Sequence, residues 1–228
     1  MTVRVRPLAL AASLVFVVLV IGLLVGGLGI VSGRAGGLPP WLLGVVVSLS
    51  EAVLIVPAWL LVVRRGGSWS ELGFRPYQIG HIALGCSFLV AAFLFNALWA
   101  LVLLRFGLEG QPDIRQVLGG GPQGFVLALV AAGIVAPVSE ETFFRGLIQG
   151  SLRTQYGAAV AILVSAALFA LFHLIPATFL PVLVLGIGLS LLYHISGSIW
   201  PGIILHAGWN IVMLTLLYAA PGAIPAAP

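Results

Sequence analysis

The chain reads as an all-α, polytopic membrane helix bundle of about seven transmembrane helices. Three observations carry this. Only 7% of the 228 residues are charged, ten Arg against six Asp and Glu, where soluble domains run near 25%. Hydrophobic residues make up 61%, with a mean hydropathy of +1.20. The apolar residues also fall into runs of about 20, the length that crosses a bilayer core of roughly 30 Å. A soluble enzyme, a disordered chain and a coiled coil are excluded, because none could keep so little polar surface in water.

The runs lie at 8–31, 40–63, 79–105, 122–144, 158–175, 177–195 and 199–219. Almost nothing remains for a soluble domain, so 1–228 is expected to be a single membrane domain. The first run follows Arg4 and Arg6. It continues from Pro7 to about Val31, beyond the roughly 7–15 apolar residues of a cleaved signal peptide, and is expected to stay as a helix. Arg residues favour the cytoplasmic side. Placing the N-terminus inside puts Arg64, Arg65, Arg75 and Arg153 in inside loops. Arg34 falls outside, as do Arg105 and Arg115, which Glu109 and Asp113 balance. No basic stripe is present, which argues against nucleic acid. The lone Cys86 excludes an internal disulfide and a Cys-rich metal cluster. The partners expected are the lipid bilayer and a membrane-associated protein or peptide.

Ionisable residues inside a membrane are costly and point to function. Glu51, Glu140, Glu141 and Arg145 fall within the runs or their continuation, and His173 and His206 join them. Glu141 and Arg145 are four apart, so a helix places them on one face, and Arg145 can hold Glu141 ionised. Glu140, about 100° around the helix, points elsewhere. Phe169 and His173 share a face, as do His206 and Asn210. A turn near 154–157 folds Glu140 and His173 to similar depths, with a kink expected at Pro137. Glu51 is expected to pair with Arg145 or Asn96. His81 and His194 read as interfacial.

Two chemistries suit this set. Glu140 with a histidine can deprotonate water while His206 and Asn210 donate to a carbonyl oxyanion. Alternatively, Glu140, His173 and His206 can ligate one divalent metal such as zinc, with an open position for water. Either demands that Glu140, His173, His206 and Asn210 face one polar cavity, expected to open to the cytoplasm. There is no H-E-x-x-H, no G-x-S-x-G elbow and no Asp within a helix.

Glu140-Glu141-x-x-x-Arg145, Phe169-x-x-x-His173 and His206-x-x-x-Asn210, in this order, resemble the three motifs of the CPBP family. That family includes the type II CAAX prenyl proteases and bacterial bacteriocin-processing and self-immunity proteins. Leu72-Gly73-Phe74-Arg75 is similar to a segment found ahead of the family's core, which here spans about 122–215. The resemblance implies an intramembrane endopeptidase, commonly a metalloprotease, in the bacterial plasma membrane. It implies Glu140 as base for the attacking water and His173 as its assistant or a metal ligand. His206 and Asn210 become metal ligands or oxyanion donors. Glu141 and Arg145 become electrostatic support, and Phe169 packing. CAAX cleavage itself does not follow, because many bacterial members do not process prenylated proteins. Two rival readings are a non-catalytic immunity or assembly factor on the same scaffold and a proton-coupled transporter. The transporter predicts internal repeats, and the sequence shows none.

Overall fold

The computed structural model describes residues 5–35, 37–108, 110 and 113–219. Arg4 and Glu109, both used above for orientation, and the C-terminal stretch 220–228 lie outside the described residues. Among the described residues the chain is helical and contains no strand. Helix α1 spans Pro7–Ala35, and α2 (Pro40–Ala52) and α3 (Ile55–Leu61) together form the second crossing. Helix α4 spans Ile79–Arg105 and the short α5 spans Arg115–Leu118. A long helical stretch, Gly121–Tyr156, is followed by α9 (Ala158–Phe172), α10 (Phe179–Ser196) and α11 (Trp200–Ala219).

Six of these stretches are long and apolar enough to cross a membrane, and α9, at 15 residues, is a shorter apolar helix. The count of about seven therefore holds, with one short member. The expected run 158–175 stops early because the chain turns at His173, and Leu174 then takes φ +57°. A left-handed leucine costs on the order of 1 kcal/mol, and Ile175 precedes Pro176, which also resists helix. Fifteen residues rise only about 22 Å, so α9 alone does not traverse the apolar slab.

The stretch Gly121–Tyr156 is not one α-helix. It runs α6 (Gly121–Ala128), a π-helical turn (Leu129–Val135), α7 (Ala136–Glu140), a second π-helical segment (Glu141–Gln149) and α8 (Gly150–Tyr156). The expected irregularity at Pro137 is present, but as a widened turn ending just before it. Proline has no N–H and its ring collides with the carbonyl four residues back. An i→i−5 turn relieves both demands, and such turns recur at functional sites.

Hydrogen bonds between loops sort the chain ends into two membrane faces. At one face Gln155 Nε2 donates to the Val5 carbonyl at 2.9 Å, Ile199 N to Gly73 O at 2.9 Å, and Ser198 Oγ to Arg75 O at 2.7 Å. At the other, Trp99 Nε1 donates to Ala177 O at 2.7 Å, Arg115 Nη1 to Leu217 O at 2.9 Å, and Tyr218 Oη to Gly119 O at 3.0 Å. This alternation matches successive crossings. Gly73 is indispensable at the first face. Its φ is +99°, and a Cβ there would sit 2.6 Å from the Tyr193 ring.

Arg115 also fixes its own loop. Its Nε and Nη2 bond both oxygens of Asp113, the latter contact at 2.6 Å. That side-chain hydrogen bonding holds the Asp113 carboxyl below the usual range. A lowered folded pKa stabilises above the unfolded value of about 3.9, and the gain is lost as pH falls through the folded one. Hydrogen-exchange protection factors at residues 113–119, taken relative to intrinsic exchange at each pH, should therefore stay high from pH 7 to 4.5 and fall below about pH 4. Asp113→Asn should show the lowered protection at every pH.

Candidate active site

The site forms where α7, the second π segment, α9 and α11 meet. Ser139, Glu140, Glu141, Thr142 and Arg145 are all buried, and Glu141 and Arg145 have no exposed surface. Nine consecutive buried residues, 141–149, occupy the π segment. No face of this segment meets lipid, which is why a polar stretch is tolerated at this depth.

The Arg145 Nη1 lies 2.9 Å from Glu141 Oε1. The same oxygen faces His206 Nδ1 at 3.2 Å. The other ring nitrogen, His206 Nε2, faces Glu140 Oε2 at 3.5 Å. Four side chains thus form one chain of charge: Arg145, Glu141, His206, Glu140. The carboxylate paired with Arg145 accepts, so His206 Nδ1 carries a hydrogen. Nε2 is then the ring nitrogen that faces Glu140 Oε2.

Phe169 does more than fill space. The Arg145 guanidinium stacks over its ring at 4.3 Å, and the rings of His206 and His173 meet it edge-on at 5.6 and 5.0 Å. Cation–π contact of this kind stabilises by about 2 kcal/mol when desolvated. His173 Nδ1 donates to the Phe169 carbonyl at 2.9 Å. A carbonyl can only accept, so this bond leaves Nε2 of a neutral His173 as a free base. Asn210 is oriented differently. Its Nδ2 donates to Ala132 O at 2.7 Å, in the first π turn, where the wide pitch releases carbonyls from the regular ladder.

The structure therefore brings together Glu140, Glu141, Arg145, Phe169 and His206, and links His173 to them through Phe169. Asn210 is tied to the neighbouring helix instead. The expected shared cavity is not among the described ones. One described cavity is apolar, between Gly85, Phe88, Leu185 and Leu205. The other lies at the first face, between Arg75, Tyr77 and Trp200. Neither is lined by Glu140, His173, His206 or Asn210.

Among the described residues Glu51 forms no ion pair with Arg145. The acidic neighbours of Arg145 are Glu141 and Glu140, and Glu51 instead lies within electrostatic range of Glu140. Helix α2 packs on α7, which brings a third carboxylate toward the cluster. The sequence signal was present, a charge in mid-run, but its partner depended on which helix α2 packs against. Gly202, one turn before His206, was not singled out. A Cβ there would lie 2.8 Å from Glu141 Oε2. Gly202→Ala should lower the melting temperature, although alanine in a helix is intrinsically better by about 1 kcal/mol. A thermal melt in detergent that rises instead would show that the carboxylate has room to move.

A metal would need Glu140, His173 and His206 to converge with free lone pairs. Among the described residues no three His, Cys, Asp or Glu side chains form such a group. Nδ1 of each histidine is held by an acceptor, which leaves its Nε2 able to ligate, but the three side chains do not converge on one point, and as arranged they do not fit a metal.

Residues 122–212 match a protein family described as Rce1-like, type II CAAX prenyl endopeptidase. No curated protein and no solved structure gives a match. The matched stretch contains all three motifs and every side chain of the buried cluster. Over residues 122–212 this membrane chain is therefore similar to the Rce1-like type II CAAX prenyl endopeptidases, a family of proteases.

Proposed function

We propose that this protein is an intramembrane endopeptidase that hydrolyses a peptide bond of a membrane-associated substrate with water activated by Glu140. The observation that carries this reading is the buried Arg145–Glu141–His206–Glu140 chain. Burying two carboxylates, a guanidinium and an imidazole costs several kcal/mol per ion, which packing alone could avoid with apolar side chains.

Each residue then has a task. Arg145 keeps Glu141 ionised. Glu141 holds the Nδ1–H of His206 and so aims Nε2 at Glu140, as the acid–histidine pair does in other hydrolases. Glu140 takes a proton from water, assisted by the free Nε2 of His173. The water oxygen attacks the substrate carbonyl carbon, and the peptide C–N bond breaks as Glu140 returns the proton to the leaving amine. The proton of the new carboxylic acid also passes to the leaving nitrogen, so the products are a carboxylate and a protonated amine. Donation to the developing oxyanion falls to His206 when its Nε2 carries a proton, and to Asn210 once its amide turns away from Ala132 O. Arg6, Arg64, Arg65, Arg75 and Arg153 lie at the first face, and the positive-inside bias supports a cytoplasmic side for that face and the N-terminus. The substrate class that fits is a peptide tail delivered along the bilayer, of which a prenylated C-terminus is one form.

The test compares membrane-protein cleavage products of cells carrying the wild-type chain and Glu140→Gln. Fragments that disappear with the variant identify the substrate. Identical fragment sets, with both proteins folded in the membrane, would sink the reading. Purified enzyme should keep its turnover after dialysis against a chelator, and loss restored by zinc would overturn the metal-free route.

A further inference from the structure

The helix carrying Glu141 and Arg145 runs parallel to α10, and the two are joined by polar rungs. Arg145 Nη2 donates to Gly186 O at 3.2 Å, and Gln149 Nε2 donates to Ser190 O at 2.8 Å. Each rung is four residues below the last on both helices. One more step reaches Arg153 and His194, where α10 ends at the first face. Arg153 and Arg75 both lie within electrostatic range of the adjacent Tyr193.

Between these rungs run polar atoms that no group among the described residues satisfies: Arg145 Nε, Gln149 Oε1, Ser190 Oγ and His194 Nδ1. Arg145 and Ser190 have no exposed surface, and Gln149 is 1% exposed. His194 is half-buried, at the end nearest the membrane face. A helical serine usually bonds the carbonyl four residues back. For Ser190 that carbonyl is Gly186 O, which Arg145 already occupies. Buried polar atoms are satisfied by protein or by ordered water, and each left bare costs about 1–3 kcal/mol. Four in register on facing helices, in a bundle where leucine and alanine fill the other contacts, have one common partner available.

We propose that Arg145, Gln149, Ser190 and His194 hold a file of ordered water molecules that connects the membrane face at His194 with the buried Arg145–Glu141 pair. From 145 to 153 the helix descends about 12 Å, a distance that four or so waters spaced by about 2.8 Å can bridge. Its use rests on the hydrolase reading. Hydrolysis consumes one water per bond, the bilayer core supplies none, and the file carries water and protons to a site enclosed by helices. The presence of the file does not depend on that reading.

A high-resolution crystal structure of the full chain decides occupancy. Water bound to Gln149 Oε1, Ser190 Oγ and His194 Nδ1 is expected. Those atoms closing on protein partners with no water between them would overturn the proposal, whatever the protein's activity. Ser190→Val, which removes the hydroxyl and fills the path, should slow reporter cleavage at least about tenfold. KM should hold and the solvent isotope effect on kcat should increase. Ser190→Ala, which removes one holder of the file but leaves room for water, should fall between the wild type and Ser190→Val in rate, and a melting temperature close to wild type for both variants shows that the site folds. Equal rates for both variants would overturn the delivery role. A wild-type protein that cleaves nothing counts against the hydrolase reading alone, because the density still reads the water file.

Discussion

Glu140→Gln reduces cleavage of a membrane-tethered reporter by about 10²–10⁴-fold, the range that removal of a general base produces, and leaves the melting temperature close to wild type. Glutamine keeps the shape and volume of the glutamate beside His206, so folding is spared while the base is lost. His173→Ala behaves in the same way for a different reason. Its ring is half-buried and contributes one bond to a backbone carbonyl, so little packing is removed. Wild-type turnover in either variant rejects the assignment of water activation to that residue. The split between Glu140 and Glu141 is informative too. Glu141 has no exposed surface and is held by Arg145 and His206 together, so its loss disturbs fold and rate at once.

Arg145→Ala has the largest expected effect on stability, about 3–5 kcal/mol, the cost of leaving a buried charge without its partner. The substitution strands Glu141 at zero exposure and removes the guanidinium from the face of Phe169 and from the Gly186 carbonyl. For a chain of this length 1 kcal/mol corresponds to about 2–4 °C, so the midpoint in detergent should fall by roughly 10 °C. A control separates charge from volume. The double variant Glu141→Leu with Arg145→Met removes both charges, and should recover much of the lost stability while remaining inactive. A melting temperature unchanged in Arg145→Ala would mean that water reaches Glu141 freely, contrary to its burial.

Much of the site could be read along the chain. The Glu141–Arg145 pair follows from a four-residue spacing, and it forms at 2.9 Å even though the helix there widens to π pitch. That histidines from separate helices would approach the carboxylates was legible from the depth of each residue in its run. His206 does so directly, and His173 only through Phe169. Depth along a helix does not specify azimuth about its axis. Asn210 shares a helical face with His206, yet its amide turns to Ala132 O, a carbonyl made available by a π turn that periodicity does not reveal. Glu51 stood out as a charge in mid-membrane, but its neighbour Glu140 was set by the packing of α2 on α7. Phe169 looked like filler because a phenyl ring carries no charge; its position among Arg145, His173 and His206 exists only in three dimensions.

By itself, the sequence determined the membrane class, the number and order of the crossings to within one short helix, and the positions of the few charges the bilayer tolerates. These depend on hydropathy and on spacing along a helix, which are local properties. The tertiary structure alone decided which carboxylate meets which ring nitrogen, that His206 bridges Glu140 and Glu141, and that an unsatisfied polar seam descends from Arg145 to His194. These depend on the rotation of each helix about its axis. Small residues such as Gly186 and Gly202 settle that rotation through close contacts, and no periodicity along one helix encodes the rotation of its neighbour.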